Sequence, residues 1–236
     1  MTFEAKTVLV TGANRGIGKA LVEEALRRGV TRVYAGTRRP LAHADERVTA
    51  VPLDVTDAAQ IQAAVGEVGS LDVLINIAGM QPFDDLSDRA VMEQALAVNL
   101  FGTYSVTETF LPLLSEARGA IVNVVSLAAF AAVPVIPAYS ISKAAMFSLT
   151  QSLRALLAGS GVSVHAVMAG PVDTDMTRGL EVPKVSAQSV ARGILDGVEN
   201  GEEEIFPDPL SESLAESWRG GAVKAFERQN AALVQA

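Results

Sequence analysis

The sequence contains no cysteine and only two histidines among its 236 residues. No disulfide can form, and thiolate zinc or iron–sulfur sites are excluded, so no metal is expected. Charge is sparse at 19% of residues and leans acidic: 27 Asp and Glu against 19 Lys and Arg leave a net charge of -8. That balance, with no long basic run, excludes nucleic acid as a partner. No uncharged apolar run reaches about 18 residues, so neither a spanning helix nor a membrane partner is expected. Met1–Lys6 has no apolar signal core and no cleavage site, which leads us to expect a cytoplasmic protein. No composition shift, linker, repeat or low-complexity tract divides the chain. Residues 1–236 therefore read as one domain, ending in a helical tail from about Ser211 to Ala236 with Trp218 and Phe226 as anchors.

What is present is an alternation of short apolar runs with helical patterns, in a chain that is 49% hydrophobic. Strands are expected at Thr7–Thr11, Arg32–Gly36, Val48–Leu53, Asp72–Ile77, Ala120–Ser126, Val162–Val167 and Glu204–Phe206. Helices are expected at Ile17–Arg28, Asp57–Val68, Ser87–Val98, Leu100–Arg118, Ala138–Ala158 and Ser186–Glu199. Continuous apolar strands separated by helices imply a parallel sheet covered on both faces. Right-handed crossovers then make it a doubly wound α/β sheet of seven strands. Ligands of such sheets lie beyond the carboxyl ends of the strands, so the residues that follow each strand deserve the closest reading.

After the first strand comes Thr11-Gly12-Ala13-Asn14-Arg15-Gly16-Ile17-Gly18. The glycines permit a tight turn and let backbone N–H groups approach a pyrophosphate, while the next helix aims its positive end at that charge. The spacing is G-x-x-x-G-x-G, and no Lys-Ser/Thr follows the last glycine, so this is not a Walker loop. The second strand ends Gly36-Thr37-Arg38-Arg39, without the acid that would bind a ribose 2′-hydroxyl and favour NAD. Arg38 and Arg15 suit a 2′-phosphate, so NADP(H) is the preferred cofactor and NAD(H) the second choice. Asp54, after the third strand, stands where an adenine amino group would be held, and Asn76-Ile77-Ala78-Gly79 offers small residues for close passage of a cofactor.

Tyr139 and Lys143 are four apart in a helix and share one face. Ser126 closes the fifth strand at the ligand edge, and Pro137 marks the helix start. Hydride addition to a ketone leaves negative charge on oxygen, which needs hydrogen-bond donors and then a proton. A phenol of ordinary pKa about 10 is a sluggish acid–base, and a nearby ammonium lowers that value.

The chain resembles the short-chain dehydrogenase/reductase family over nearly its whole length. The resemblance is carried by TGANRGIG at Thr11–Gly18, NIAG at Asn76–Gly79, Asn99 in VNLFG, Ser126 in VVSLAA, YSISK at Tyr139–Lys143 and AGPVDT at Ala169–Thr174. It implies a Rossmann-type fold and a catalytic tetrad of Asn99, Ser126, Tyr139 and Lys143. Tyr139 would exchange the proton, Ser126 would polarise the carbonyl, and Lys143 would lower the tyrosine pKa and bind the nicotinamide ribose. Asn99 would position a helix and a water of the proton relay. The cofactor is expected along Gly12, Asn14, Arg15, Gly16, Ile17 and Gly18, then Thr37, Arg38, Asp54, Val55, Asn76, Ala78 and Gly79. It would finish against Tyr139, Lys143, Gly170, Val172, Thr174 and Met176. Two places depart from the family pattern: Ile77 replaces an asparagine, and Ala169 replaces a proline, which should loosen its loop. His43 reads as a loop residue and His165 as a satisfied interior one.

Leu127, Phe130, Val133, Pro171, Val172, Met176 and Met80 are expected to line the substrate pocket, open beneath a short lid after Thr174. Few charges are available there, which predicts a small hydrophobic ketone, aldehyde or alcohol. A β-ketoacyl-thioester, sugar or steroid dehydrogenase on the same scaffold is the enzymatic alternative. A non-catalytic NADP(H) sensor is a third, disfavoured by the intact tetrad. The helix through Ala144–Leu157 is apolar on more than one face, from which a homotetramer, or else a homodimer, is expected.

Overall fold

β1 (Thr7–Thr11) is a run of β-branched and aliphatic residues with no polar break, and its alternation sorts the core into two layers. Val8 and Val10 face helices α1 (Gly16–Arg27) and α6 (Ala187–Glu199), packing with Leu21, Ala25, Val190 and Ile194. Leu9 faces the opposite layer, built from α2 (Ala58–Val68) and α4 (Thr103–Ala117), where it joins Ile61, Phe110 and Leu114. Each such side chain contributes roughly 1.5–3 kcal/mol by leaving water. A chain buried on both faces has no reason to alternate with polar residues, which is why the strands read as unbroken apolar runs. The computed structural model describes residues 1–234.

The remaining sheet strands are β2 (Arg32–Thr37), β3 (Val48–Pro52), β4 (Val73–Asn76), β5 (Ala120–Val124), β6 (Ser163–Val167) and β9 (Glu204–Ile205). They form one seven-stranded sheet in the order β3-β2-β1-β4-β5-β6-β9, every neighbour pair parallel. The Rossmann-type doubly wound sheet expected from the sequence is thus present, with its strand order reversing between β1 and β4. A crevice opens there above the strand ends.

Three details differ from expectation. The helices foreseen at Ser87–Val98 and Leu100–Arg118 are one rod: α3 (Arg89–Leu96) runs through a π-helical turn at Ala97–Gly102 into α4. Such a wide turn inserts a residue without breaking the helix, so no sequence punctuation marks it. A short parallel ribbon, β7 (Val172–Asp173) with β8 (Val185–Ser186), was not foreseen. The tail forms α7 (Pro209–Arg219), α8 (Ala222–Ala231) and a closing turn at Ala232–Val234, starting earlier than expected because Pro209 at the first helical position follows the capping Asp208. Residues 235–236 of the expected tail lie outside the described residues.

Of the two expected tail anchors, Trp218 stacks on Phe130 with ring centroids 4.5 Å apart, whereas Phe226 is 62% exposed and anchors nothing. Its place is taken by Lys224, whose buried amino group meets Glu203 at 2.8 Å and Glu204 and Glu227 at 2.9 Å. Arg154, from α5 (Pro137–Leu157), meets Glu204 at 2.8 Å and Glu227 at 2.6 Å. A buried amino group must find carboxylates, and two of these three, Glu203 and Glu204, tie α8 to the sheet edge. Among the described residues, no helix is long and apolar enough to cross a membrane.

Candidate active site

The turn after β1 is bare backbone by necessity. Gly12 (φ 66°) and Gly16 (φ 53°) occupy left-handed conformations. A Cβ on Gly12 would lie 3.0 Å from Ala78 Cα, and one on Gly16 would lie 3.2 Å from Thr174 Cγ2. Thr11 draws the turn against the end of β4: its hydroxyl accepts from the N–H groups of Ile77 at 3.0 Å and Ala78 at 3.1 Å. The helices α2, α3, α6 and α7 carry side-chain caps from Asp57, Asp88, Ser186 and Asp208, but α1 has none. Its first turn also holds no acid. Free N–H groups, a positive helix end and a cradle without side chains fit the pyrophosphate of a dinucleotide.

The other expected cofactor residues fall around this cradle. Asn14 and Arg15 are exposed on the turn, Ile17 is half-buried and Gly18 buried. Thr37 donates its hydroxyl to the Arg39 carbonyl at 2.5 Å, and Arg38 is exposed beside Asp54. Partial burial works against the Asp54 carboxylate, but the Thr56 N–H at 2.9 Å, its hydroxyl at 2.7 Å and the Arg38 charge hold its pKa below the usual range. Val55 packs under Gly102 of the π turn, where a Cβ would sit 2.6 Å from it. Asn76 turns inward instead: its amide donates to Thr107 at 3.0 Å and Asn123 at 2.9 Å, and Asn123 donates to Thr150 at 3.0 Å. This buried polar chain stitches β4, β5, α4 and α5 together, and any cofactor contact at Asn76 is left to its backbone.

Ser126, Tyr139, Lys143 and Asn99 come together at the carboxyl ends of β4 and β5. Ser126 follows β5 and accepts from the Ala128 N–H at 3.1 Å. Tyr139 lies in the first turn of α5, only 8% exposed. α5 lacks a cap of its own, and its Ala138 N–H donates to Asp84 at 3.3 Å. Lys143, one turn on, places its amino group 5.7 Å from the Tyr139 ring centroid and donates to the Val124 carbonyl at 2.7 Å. The π turn holds the side chain of Asn99 inward, where it accepts from Met80 N–H at 2.9 Å and donates to the Met80 carbonyl at 2.9 Å. It also donates to Ser142 at 2.8 Å, and Ser142 donates to the Tyr139 carbonyl at 2.7 Å. Ser142 is not singled out by the sequence, although its place three residues after Tyr139 puts it on the inner side of α5.

Burial governs both titrating groups. It pushes the Tyr139 phenol up to about 12, against the pull of the neighbouring Ser126 hydroxyl, and lowers Lys143 to about 7. The acidified phenol expected from the sequence is therefore not present in the protein alone: a partly neutral lysine offers little positive charge to a buried tyrosine.

The pocket residues separate into two groups. Val133 packs with Ala128, Ile136 and Tyr139, and the half-buried Pro171 adjoins Gly170, whereas Leu127 packs against the cluster of Val125, Phe147 and Phe206. Phe130 is committed elsewhere, stacked on Trp218 and edge-on to Phe147 at 5.4 Å. Met80 is gripped by Asn99 through its backbone, Val172 is buried, and Met176 is exposed. The short segment after Thr174 is held at both ends. Thr174 and Thr177 cap a short turn, Asp175 faces Arg15 at 4.0 Å, and Gly179 abuts Phe83 across the cleft. Two clefts, of about 460 and 470 Å³, run along the outer side of this loop, and Tyr139 lines neither.

Ala169, replacing proline, does not slacken its loop: Leu127 N–H donates to its carbonyl at 3.0 Å, and Gly170 N–H donates to Asp208 at 2.8 Å. His165 is satisfied as expected, with Nδ1 2.6 Å from the Glu202 carbonyl and Nε2 2.9 Å from Ser163 Oγ. His43 lies in the loop before β3, 3.1 Å from Glu23.

Residues 6–184 match the family model described as short chain dehydrogenase. The chain is 40% identical over 188 residues to Short-chain dehydrogenase PC-15 of Penicillium crustosum, covering 73% of this chain and 68% of the relative. It is 34% identical to Ketoacyl reductase HetN of a Nostoc species, over 90% of this chain and 83% of the relative. A solved structure of a short chain dehydrogenase from Burkholderia cenocepacia in complex with NADP superposes with a TM-score of 0.89 at 33% identity, over 97% of this chain and 98% of that one. With a glycine cradle at the switch point, Tyr139 and Lys143 at the adjoining strand ends and these likenesses, the chain belongs to the short-chain dehydrogenase/reductase family.

Proposed function

We propose that this protein is an NADPH-dependent oxidoreductase that interconverts a small, uncharged ketone or aldehyde with its alcohol. The observation that carries this reading is the meeting of Ser126, Tyr139 and Lys143 beside a bare backbone cradle. NADP(H) is supported by the strand end Gly36-Thr37-Arg38-Arg39, which offers cations and no acid, and by the NADP bound to the Burkholderia relative. NAD(H) is the weaker partner for the same reason.

The turn Gly12–Gly18 and the first turn of α1 would hold the pyrophosphate, Arg38 and Arg15 a 2′-phosphate, and Asp54 with Val55 the adenine side. Ala78, Gly79, Gly170, Val172, Thr174 and Met176 would frame the nicotinamide end, with Lys143 on the ribose. When bound, the cofactor supplies or takes the hydride. Ser126 donates a hydrogen bond to the substrate oxygen, and Tyr139 gives it a proton in reduction or takes one in oxidation. Lys143 stabilises the phenolate that remains when Tyr139 has given up its proton. Asn99 and Ser142 hold the first turn of α5, so that the phenol meets the substrate without reorganising. Leu127, Val133 and Pro171 offer an apolar wall, which suits an aliphatic or aryl carbonyl compound.

A β-ketoacyl thioester is the second reading of the substrate, supported by the likeness to a ketoacyl reductase. The whole chain serves as one unit in this proposal, acting in the cytoplasm. Exposed Phe101 and Tyr104 near the π turn and Ile141 and Leu156 on α5 support assembly into a homotetramer through those helices, or a homodimer. The test follows NADPH oxidation with acetophenone, an aliphatic aldehyde and acetoacetyl-coenzyme A, repeated with NADH. Turnover of the neutral ketone with NADPH, and much less with NADH, is expected. Clear preference for the thioester moves the substrate to the second reading, and no turnover with any carbonyl compound defeats the first.

A further inference from the structure

The carboxylate of Asp208 is 5% exposed and does two jobs at once. Oδ1 accepts from the Leu210 N–H at 3.1 Å and the Ser211 N–H at 3.0 Å, capping α7. Oδ2 accepts from the Ser211 hydroxyl at 2.9 Å and from the Gly170 N–H at 2.8 Å. A helix cap requires only the first oxygen. The second reaches back to the loop from Ala169 to Thr174, where Ala169 and Gly170 carry no ring that would stiffen the backbone. The contact is close-fitting: a Cβ on Gly170 would lie 2.9 Å from Asp208 Oδ1 and 3.4 Å from Leu210 Cδ2.

We propose that Asp208 is a positioning residue for the reaction, its second carboxylate oxygen fixing the Gly170 backbone so that α7 sets the face on which the nicotinamide end of the cofactor rests. The inference rests on the function proposed above, which sets Gly170 beside the nicotinamide. A charge-assisted hydrogen bond to a buried N–H is short, directional and hard to replace with water, which suits it to holding a loop in register.

The test compares three variants by NADPH titration (cofactor fluorescence), turnover of the neutral aryl ketone, and thermal melting. Asp208→Asn keeps one acceptor for α7 and turns an amide NH2 towards Gly170. Ser211→Ala removes the reciprocal half of the cap and leaves the Asp208–Gly170 bond intact. Gly170→Ala drives a methyl against Asp208 from the other side. Asp208→Asn is expected to lower kcat and raise the NADPH Kd by about tenfold each, with the ketone KM unchanged. Gly170→Ala should behave in the same way, and it supplies the answer if Asp208→Asn does not fold. Ser211→Ala should melt earlier than wild type yet keep its kcat and Kd. Wild-type kcat and Kd in Gly170→Ala and in folded Asp208→Asn, or equal kinetic losses in Ser211→Ala, overturn the proposal. Tyr139→Phe run alongside separates the two levels. If wild type turns over no carbonyl compound, the proposed function itself fails; if wild type is active, Tyr139→Phe is inactive and Asp208→Asn turns over normally, only the role of Asp208 fails.

Discussion

The amino group of Lys143 donates to the carbonyl oxygen of Val124 at 2.7 Å, so the lysine is anchored to the last residue of β5. It is 5% exposed, and burial lowers its pKa from 10.5 to about 7. A base with a depressed pKa penalises the folded state wherever it must carry its proton. The penalty is complete below pH 7 and is relieved as pH rises towards 10.5, where the unfolded chain is still protonated and the folded one is not. Tyr139, raised to about 12, acts later and in the opposite sense, its contribution being lost between pH 10 and 12. The protein without cofactor should therefore gain about 2 kcal/mol of stability between pH 7 and pH 9 from Lys143. Urea unfolding at the two pH values, in wild type and Lys143→Met, measures it. An equal gain in the variant would contradict this assignment.

Tyr139→Phe removes the hydroxyl and leaves the ring packed against Ala128 and Ile136. NADPH oxidation is expected to fall by more than about a thousandfold and in Ser126→Ala by about a hundredfold, in line with the loss of a proton donor and of one oxyanion donor. NADPH binding, followed by fluorescence, should persist in both. A Tyr139→Phe enzyme with more than a tenth of wild-type turnover would show that the proton comes from elsewhere.

Arg38 is exposed after β2 and bears on Asp54 electrostatically. Arg38→Glu places an acid where a 2′-hydroxyl would be held and repels a 2′-phosphate. The KM for NADPH should rise by about tenfold or more, with that for NADH constant or lower. An unchanged ratio of the two would remove Arg38 from cofactor selection.

Asn123 is fully buried and joins Asn76 to Thr150. Asn123→Ala leaves the Asn76 amide one acceptor short in the middle of the sheet, and it opens a small void. A loss of about 2–4 kcal/mol is expected, with a fall in melting temperature of several degrees. Kinetic constants of the protein that remains folded should change little. A loss of activity without loss of stability would assign this chain of side chains to the site rather than to the sheet.

The sheet was legible in the sequence because a strand buried on both faces reads as an uninterrupted apolar run, and seven such runs survive in order. The site was legible because its residues stand at strand ends and on one face of α5, where spacing alone brings Tyr139 and Lys143 together. The missing parts are those that depend on distant partners. A π turn at Ala97–Gly102 obeys the same local propensities as an ordinary helix, and the close fit of Gly102 on Val55 that accompanies it depends on a residue far back in the chain. β7 and β8 are two residues each, too short for any period to register. Phe130 was assigned to the pocket by its neighbours in sequence, but Trp218 claims it from far along the chain. Lys224 lies among exposed residues of α8, and its partner Glu204 stands 20 residues earlier in the chain, beyond the reach of any local pattern.

The stacking of Trp218 on Phe130 bears on how the protein is made. Phe130 lies on the loop between Ser126 and Tyr139, and its cover arrives with α7. A nascent chain that has emerged only as far as α6 carries Asn99, Ser126, Tyr139 and Lys143 but leaves the aromatic side of that loop facing water. The proposed site is thus synthesised early and sheltered late. During that interval the unfinished chain presents Phe130 and Phe147 as the kind of surface that chaperones bind.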